Sequence, residues 1–177
     1  MSDAPLQTIL PRQVDPRKFA QKGISLSGRV PLAQMPRLSE AVQSGDEEVD
    51  VHLEFGIDQQ RAKTLKGHAR ASVSVVCQRC LQPTKLTLDA DIALAVVWTE
   101  EQGQDLSKDL DPLILEEGPT DLYQVVEDEL LLVLPMVAYH EEQCIDAASL
   151  SAGTEVQDDK VSDNPFKVLE QLKGSPK

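Results

Sequence analysis

The chain is poor in aromatic residues and cysteines, and it has no long apolar run. Its 177 residues include three Phe, two Tyr and one Trp, so its core must be built from aliphatic side chains. Three cysteines are an odd number, which favours a reducing cytoplasm over a disulfide scaffold. No apolar run approaches membrane-spanning length, and residues 1–10 show no signal-peptide pattern. We therefore expect a cytoplasmic protein with no membrane partner.

Charge is distributed unevenly along the chain. The net charge is −13, yet residues 59–88 hold six Lys or Arg and no acid, whereas residues 99–163 hold 18 acids and two lysines. Nucleic-acid binding normally requires a basic footprint. We predict RNA contact through one local set, which comprises Arg61, Lys63, Lys66, His68, Arg70, Arg79 and Lys85. A solvated sheet face is the alternative interpretation of this set, and a basic protein is the alternative partner for the acidic half.

An alternating pattern predicts a long hairpin between Leu65 and Trp98. Apolar or small residues occupy every second position from Leu65 to Cys77 and again from Leu86 to Trp98. Side chains of a strand alternate between faces, so each run predicts one buried face and one wetter face. Two such runs joined by a short polar turn predict antiparallel neighbours.

Similar alternation at residues 24–30 and 49–57 predicts two more strands. An apolar stripe over 121–134 predicts a helix that ends before Pro135, with Glu127 on its wet face. Short helical segments are also expected after Asp15 and on both sides of Pro36. The expected fold class is α+β, with an antiparallel, barrel-like sheet packed against a few helices.

The predicted domain organisation has three parts. Residues 1–144 form a single α+β domain, in which residues 1–14 are expected to be a loosely held arm. Residues 145–163 are small and acidic, as in a flexible linker. Residues 164–174 are predicted to form a short helix between a capping Asn and a closing Gly, and we expect Phe166 and Leu169 to dock it on the domain or on a partner.

Four residues form a candidate metal set. Cys77 and Cys80 stand at the tip of the predicted hairpin in a Cys-x-x-Cys motif, and His140 and Cys144 lie just past the predicted helix. Three Cys and one His are an accepted set for structural zinc, which would clip the tip to the helix end. The alternatives are a surface His beside free thiols, or a thiol oxidoreductase at Cys77 and Cys80. The second lacks the helix that should follow such a motif.

Three stretches together resemble the YceD family, the large ribosomal RNA subunit accumulation proteins. They are Val75 to Pro83, Asp121 to Pro135 and Asn164 to Leu169, and the resemblance extends over roughly residues 10–173. It implies a bacterial cytoplasmic factor for the synthesis, processing or stability of large-subunit (23S) ribosomal RNA, with no known catalytic residues. The resemblance also implies that other branches of the family carry a Cys-x3-Cys motif at the positions of His140 and Cys144.

The expected function is therefore ribosome biogenesis by binding, without enzymatic activity. The expected partner is large-subunit ribosomal RNA or a pre-ribosomal particle, and the alternative is a basic ribosomal protein held by the acidic half. Structural zinc is the one cofactor that the sequence supports.

Overall fold

The computed structural model describes residues 9–46, 48–115 and 118–146. The chain divides into a unit that spans Met1–Cys144 and a unit that spans Ile145–Lys177. The predicted docking helix with Phe166 and Leu169, and all but the first two residues of the predicted linker, lie outside the described residues. The three-part domain organisation therefore stays a prediction. No helix of the described ranges is long and apolar enough to cross a membrane.

The fold is a mixed α+β arrangement, as predicted. Its strands are β1 (Gln13–Val14), β2 (Ser25–Pro31), β3 (Ser44–Gly45), β4 (Glu48–Ile57), β5 (Lys63–Val76), β6 (Pro83–Val97), β7 (Asp111–Ile114) and β8 (Thr120–Asp121). Its helices are α1 (Pro16–Lys22), α2 (Pro36–Ala41), α3 (Glu100–Gln104) and α4 (Leu122–Val133), with a 3-10 turn at Leu32–Gln34.

The predicted hairpin is confirmed as the centre of the sheet. β5 and β6 pair antiparallel from Thr64 opposite Ala95 to Val76 opposite Pro83. The sheet has the order β2-β4-β5-β6-β7, with β3 also paired to β5. Neighbouring strands are antiparallel except β6 and β7, which are parallel. Among the described residues no pairing joins β2 to β7, so the barrel-like part of the prediction is not confirmed.

The helices α1 and α4 begin and end where the sequence signals predict, whereas α3 was not predicted. The Asp15 side chain accepts hydrogen bonds from the N–H groups of Arg17 and Lys18 at the start of α1, and Gly23 ends it in a left-handed conformation with φ 62°. Capping of this kind contributes ~1 kcal/mol. Asp121 caps α4 through the N–H groups of Tyr123 and Gln124. Each cap fixes where its helix starts relative to the sheet.

One face of the sheet carries the core. Most alternate residues of β4, β5 and β6 are buried, as in Leu53, Leu65 and Ile92, and α1 and α4 pack over these residues. Replacing one such side chain by Ala would cost about 2–5 kcal/mol. The opposite face of the same strands carries the charged residues, so the alternation separates core from polar surface.

Glu127 is buried, contrary to the expectation of a wet face. The residue is 3% exposed, and its side chain accepts hydrogen bonds from the Arg37 guanidinium at 3.1 Å and from the Leu38 N–H at 3.0 Å. A buried carboxylate requires such partners because it has lost its water. The stripe pattern could not reveal them, since they come from α2, about ninety residues earlier in the chain.

Two further expectations are wrong in detail. The described part of the expected arm is held, because Leu10 and Val14 are buried and the Tyr123 hydroxyl donates to the Leu10 carbonyl at 2.8 Å. In β6 the alternation changes phase at Ala95, which is buried directly after Leu94. As a result Trp98 is 47% exposed and lies under the Arg17 guanidinium, 4.1 Å from ring centroid to Cζ.

Candidate metal centre and basic surface

The hairpin tip and the chain after α4 meet side by side. Cys77 forms a parallel bridge with Ala138, and the Gln78 N–H donates to the Ala138 carbonyl at 2.9 Å. The tip itself closes when the Leu81 N–H donates to the Cys77 carbonyl at 2.9 Å. These backbone contacts bring the Cys-x-x-Cys motif next to the segment that carries His140 and Cys144.

All four residues of the predicted metal set converge at this contact. The donor atoms of Cys77, Cys80, His140 and Cys144 all lie within 4.8 Å of one another. The Sγ atoms of Cys77 and Cys144 are 3.7 Å apart, and the Cys80 Sγ lies 3.4 Å from the His140 Nδ1. In tetrahedral zinc sites two sulfur ligands are separated by ~3.8 Å, and a sulfur and a nitrogen ligand by ~3.6 Å. Two edges of the set therefore match such a tetrahedron, and the other separations do not exceed 4.8 Å.

The imidazole of His140 is oriented by its second nitrogen. Its Nε2 lies 3.0 Å from the Pro83 carbonyl oxygen, which can only accept a hydrogen bond. The proton of a neutral ring therefore sits on Nε2, and the lone pair of Nδ1 points to the cysteines. A carbonyl that orients the outer nitrogen of a histidine is the usual support of a metal-ligating imidazole.

Cys77 is electrostatically prepared to be a thiolate. Burial raises the pKa of Cys77, but hydrogen bonds from the backbone N–H groups of Cys80, Arg79 and His140, with one from the Cys80 side chain, outweigh it and lower the pKa to about 5. Burial and the neighbouring thiols of Cys80 and Cys77 raise the pKa of Cys144. The thiolate is the metal-binding form of cysteine, so the turn stabilises one ligand in its binding state.

Arg79 binds the backbone of the segment that carries His140 and Cys144. Its guanidinium donates to the backbone carbonyls of His140 and Glu142, and it lies 5.2 Å from the ring centroid of Tyr139. These bonds fix the backbone on both sides of Glu141. The structure therefore gives this member of the predicted RNA-binding set a role in shaping the tip.

The other members of that set are spread along the hairpin. Arg61 lies in the turn before β5, Lys63 begins β5, and Lys66, His68 and Arg70 are on its outer face. Lys85 pairs with Ser74, eleven residues beyond Lys63, which at ~3.3 Å per residue is about 36 Å away. These residues are thus distributed along the length of the hairpin, with Lys85 near its tip.

Acidic residues interleave with the basic ones across the outer face. Arg29, Asp50, Arg70 and Asp89 occupy successive partner positions on β2, β4, β5 and β6. Arg29 pairs with Asp50 at 2.9 Å, and Arg70 pairs with Asp89 at 2.8 Å. The middle of the face is therefore a charge-alternating surface, as the solvated-face interpretation expects for Arg70.

Histidines form the next row across the sheet. His52 and His68 are directly opposite, with ring centroids 5.5 Å apart, and the Ser27 hydroxyl lies 2.7 Å from the His52 Nδ1. Within the described residues the Cys and His cluster at the tip is the one group whose donor atoms converge for a metal ion. The His52–His68 pair is therefore part of the polar sheet surface.

Positive charge without a carboxylate partner is concentrated, among the described residues, at the end of the hairpin opposite its tip, where the turn at residues 58–62 joins β4 to β5. In the described part of the chain, no carboxylate lies within 4.0 Å of the side-chain nitrogens of Arg61, Lys63 or Lys66. The turn is held by Asp58, whose side chain accepts the N–H groups of Gln60 and Ala62. Arg61 in this turn, and Lys63 and Lys66 in the first four residues of β5, thus have no carboxylate partner within that distance in the ranges that the structure describes.

The sequence interpretation missed an exposed apolar stretch at the end of α4 and beyond it. We call residues 132–139 the exit segment; Leu132, Val133, Met136, Val137 and Tyr139 within it are large apolar residues with 40–97% exposure. The signal was available as an apolar run on both sides of Pro135. The apolar stripe predicted over 121–134 included Val133, which is 40% exposed where the helix ends.

Taken together, the fold and the site define an α+β domain whose hairpin tip carries a Cys3His cluster. A family profile described as "Large ribosomal RNA subunit accumulation protein YceD" matches residues 65–173. A Haemophilus influenzae protein of that same description is 36% identical over 167 residues, which cover 93% of this chain and 96% of the relative. The chain belongs to the YceD family. No solved structure matches it.

Proposed function

We propose that this protein is a ribosome biogenesis factor needed for the accumulation of large-subunit (23S) ribosomal RNA, and that it acts in the cytoplasm by binding rather than by catalysis. The supporting observation is the relative of that description, aligned over nearly the full length of both chains. Pre-ribosomal RNA or a particle that contains it is then the target.

Zinc is the proposed structural cofactor. Cys77, Cys80, His140 and Cys144 would hold it, and with four protein ligands the metal would supply cross-linking and no open position for substrate. The support is the fit of the donor distances together with the carbonyl that orients His140. The metal would fix the exit of α4 against the hairpin tip.

RNA contact is proposed for the end of the hairpin opposite its tip, at the β4–β5 turn and the start of β5. Arg61, Lys63 and Lys66 lack carboxylate partners there among the described residues, whereas Arg70 is paired with Asp89 and Arg79 is bound to backbone carbonyls. Phosphates compete poorly for a cation that already has a carboxylate at 2.8 Å. The contribution of His68 and Lys85, which lie farther along the hairpin, stays a prediction.

A gel shift with large-subunit ribosomal RNA at several salt concentrations tests this proposal. The triple variant Arg61→Ala, Lys63→Ala, Lys66→Ala should weaken binding, and its salt slope should fall by ~0.7–0.9 for each phosphate that the protein no longer neutralises. The control is Lys22→Ala, which removes an exposed cation from the end of α1. Unchanged affinity and slope in the triple variant would reject RNA contact at this turn and favour the protein-binding alternative.

Thiol oxidoreductase activity is the less supported alternative. After Cys80 the chain passes Leu81 and Gln82 and enters β6, whereas redox Cys-x-x-Cys motifs open a helix in a βαβ setting.

A second observation favours the other alternative, a basic protein partner. The exit segment is apolar and exposed, and the acidic half of the chain carries it.

A further inference from the structure

We infer that the exit segment, residues 132–139, is a docking surface for a Lys- and Arg-rich protein segment that carries apolar anchors. This inference deepens the protein-binding alternative of the proposed function, and it holds or fails independently of RNA contact at Arg61, Lys63 and Lys66. Four observations carry it: the exposure of the segment, its rigid support, the acidic charge around it and the engagement of the nearby cations.

The exposed side chains of the exit segment form a run rather than scattered single residues. Leu132 is 79% exposed and Met136 is 97% exposed, while Leu134 and Ala138 pack on the core. The segment thus has an inner side that anchors it and an outer side that faces water. Single exposed apolar residues are normal on proteins, but several within eight positions mark an interaction surface.

The exit segment is supported at both ends. Its start is the last turn of α4, and its end is held by the Ala138 bridge to Cys77 and by the Arg79 bonds to His140 and Glu142. A surface that is fixed before binding loses little conformational entropy when a partner docks. Two members of the Cys3His cluster, His140 and Cys144, follow the segment in the chain, so a bound metal would hold the surface in place.

The charges beside the exit segment are acidic. Asp128 and Glu129 lie one turn before Leu132 on α4, and Glu141 and Glu142 follow Tyr139 as exposed residues. Positions three and four apart are neighbours on a helix surface, so the carboxylates on α4 border the apolar residues. Mutual repulsion with Asp111 and Asp128 adds to burial in raising the pKa of Glu129, so negative charge is in excess there.

Cations near this surface are already engaged. Arg37 pairs with Glu127 and Asp128, and Arg79 is bound to carbonyls beside the Tyr139 ring. A phosphate backbone would therefore meet repulsion at the rim, whereas Lys and Arg side chains of a partner would meet the carboxylates of Glu129, Glu141 and Glu142. Charge complementarity selects a basic protein segment over RNA as the occupant, with the apolar anchors of that segment against Met136 and Val137.

A site-specific crosslink in the full-length, metal-loaded protein tests this inference. The photo-crosslinking residue p-benzoylphenylalanine replaces Met136. This variant is then mixed with the proteins extracted from purified large ribosomal subunits and with free large-subunit RNA. We expect crosslinks to map to Lys- and Arg-rich segments of one or a few of these proteins. Crosslinks to RNA, to a second copy, or to residues 147–177 of this chain would overturn the inference, as would the absence of any crosslink.

Binding of each crosslinked protein, once purified, is then measured with matched variants. The double variant Leu132→Ser, Val137→Ser should lower affinity about tenfold or more, because both changes remove anchors from one surface. Glu141→Gln with Glu142→Gln should weaken binding at low salt and have less effect at high salt. Ile57→Ser, which changes a similarly exposed residue at the end of β4, is the control. Equal affinity for the double variant and the wild type would contradict docking at this segment.

Discussion

The His140 Nδ1 lies 3.4 Å from the Cys80 Sγ, although sixty residues separate the two positions in the chain. This approach places the chain beyond α4 against the tip of the central hairpin. With Cys77 and Cys144 it forms the only Cys and His convergence in the ranges that the structure describes. The site links the tip of the basic hairpin to residues 140–144, which lie within the acidic half (residues 99–163).

Zinc loading should stabilise this arrangement. We expect purified protein to carry one zinc per chain by elemental analysis, and a chelator to lower its melting temperature. Free zinc at 100 times its dissociation constant would add about 2.7 kcal/mol to the free energy of unfolding. For a chain of this size, that raises the melting temperature by roughly 5–10 °C. His140→Gln should lose the zinc and the chelator effect, whereas His68→Gln, a change on the outer sheet face, should retain both. Metal-free wild type with the same melting temperature would refute the clip.

Glu127 and Glu129 should respond to neutralisation in opposite directions. Glu127→Gln removes a buried charge that holds Arg37 and should cost about 2 kcal/mol of unfolding free energy. Burial and repulsion from Asp111 and Asp128 raise the pKa of Glu129, so its ionised form is disfavoured in the fold. Glu129→Gln should therefore stabilise the protein at neutral pH, by on the order of 0.5 kcal/mol.

The pH dependence fixes the sign of the Glu129 effect. A raised folded-state pKa means that the wild type loses stability as pH rises from the unfolded value through the folded one. The advantage of Glu129→Gln should thus be present at pH 7 and vanish below the unfolded pKa, which is about 4.3. Thermal melts at both pH values measure it. A stabilisation that persists unchanged in acid would show that the repulsion argument is wrong.

Gly67 should tolerate no side chain. A Cβ at this position would lie 1.9 Å from the His52 carbonyl oxygen and 3.0 Å from the Leu53 Cα, and backbone atoms of a paired strand cannot move aside. We expect Gly67→Ala to destabilise the protein by roughly 3 kcal/mol. Gly56→Ala is the control, since its Cβ would lie 3.8 Å from the Thr64 Oγ1. Denaturant unfolding of the two variants compares them directly, and equal midpoints would contradict the close approach.

Local patterns predict the longer strands together with α1 and α4, because each of these elements depends on near neighbours in the chain. The hairpin follows from alternation between Leu65 and Ile92, and α1 follows from the cap at Asp15 and the stop at Gly23. The four metal-set residues were predicted from type and spacing, and the structure brings them together. The signals for these features lie in the residues that form them.

Features that depend on distant partners could not be predicted in this way. Glu127 looked like a surface residue because its partners Arg37 and Leu38 lie on α2. The pairing of Arg70 with Asp89 depends on the hairpin register, which the composition of residues 59–88 does not give. Closure of a barrel would likewise have required knowing which strands form the edges, and the described strands leave β2 and β7 unpaired with each other.

The central claim is that this chain supports the accumulation of large-subunit ribosomal RNA by binding. The direct measurement is the ratio of large-subunit to small-subunit ribosomal RNA in cells that lack the chain, compared with cells that carry it on a plasmid. The account predicts a lowered ratio in the deletion and restoration by the wild type, but not by the variant Arg61→Ala, Lys63→Ala, Lys66→Ala. An unchanged ratio in the deletion would contradict the account.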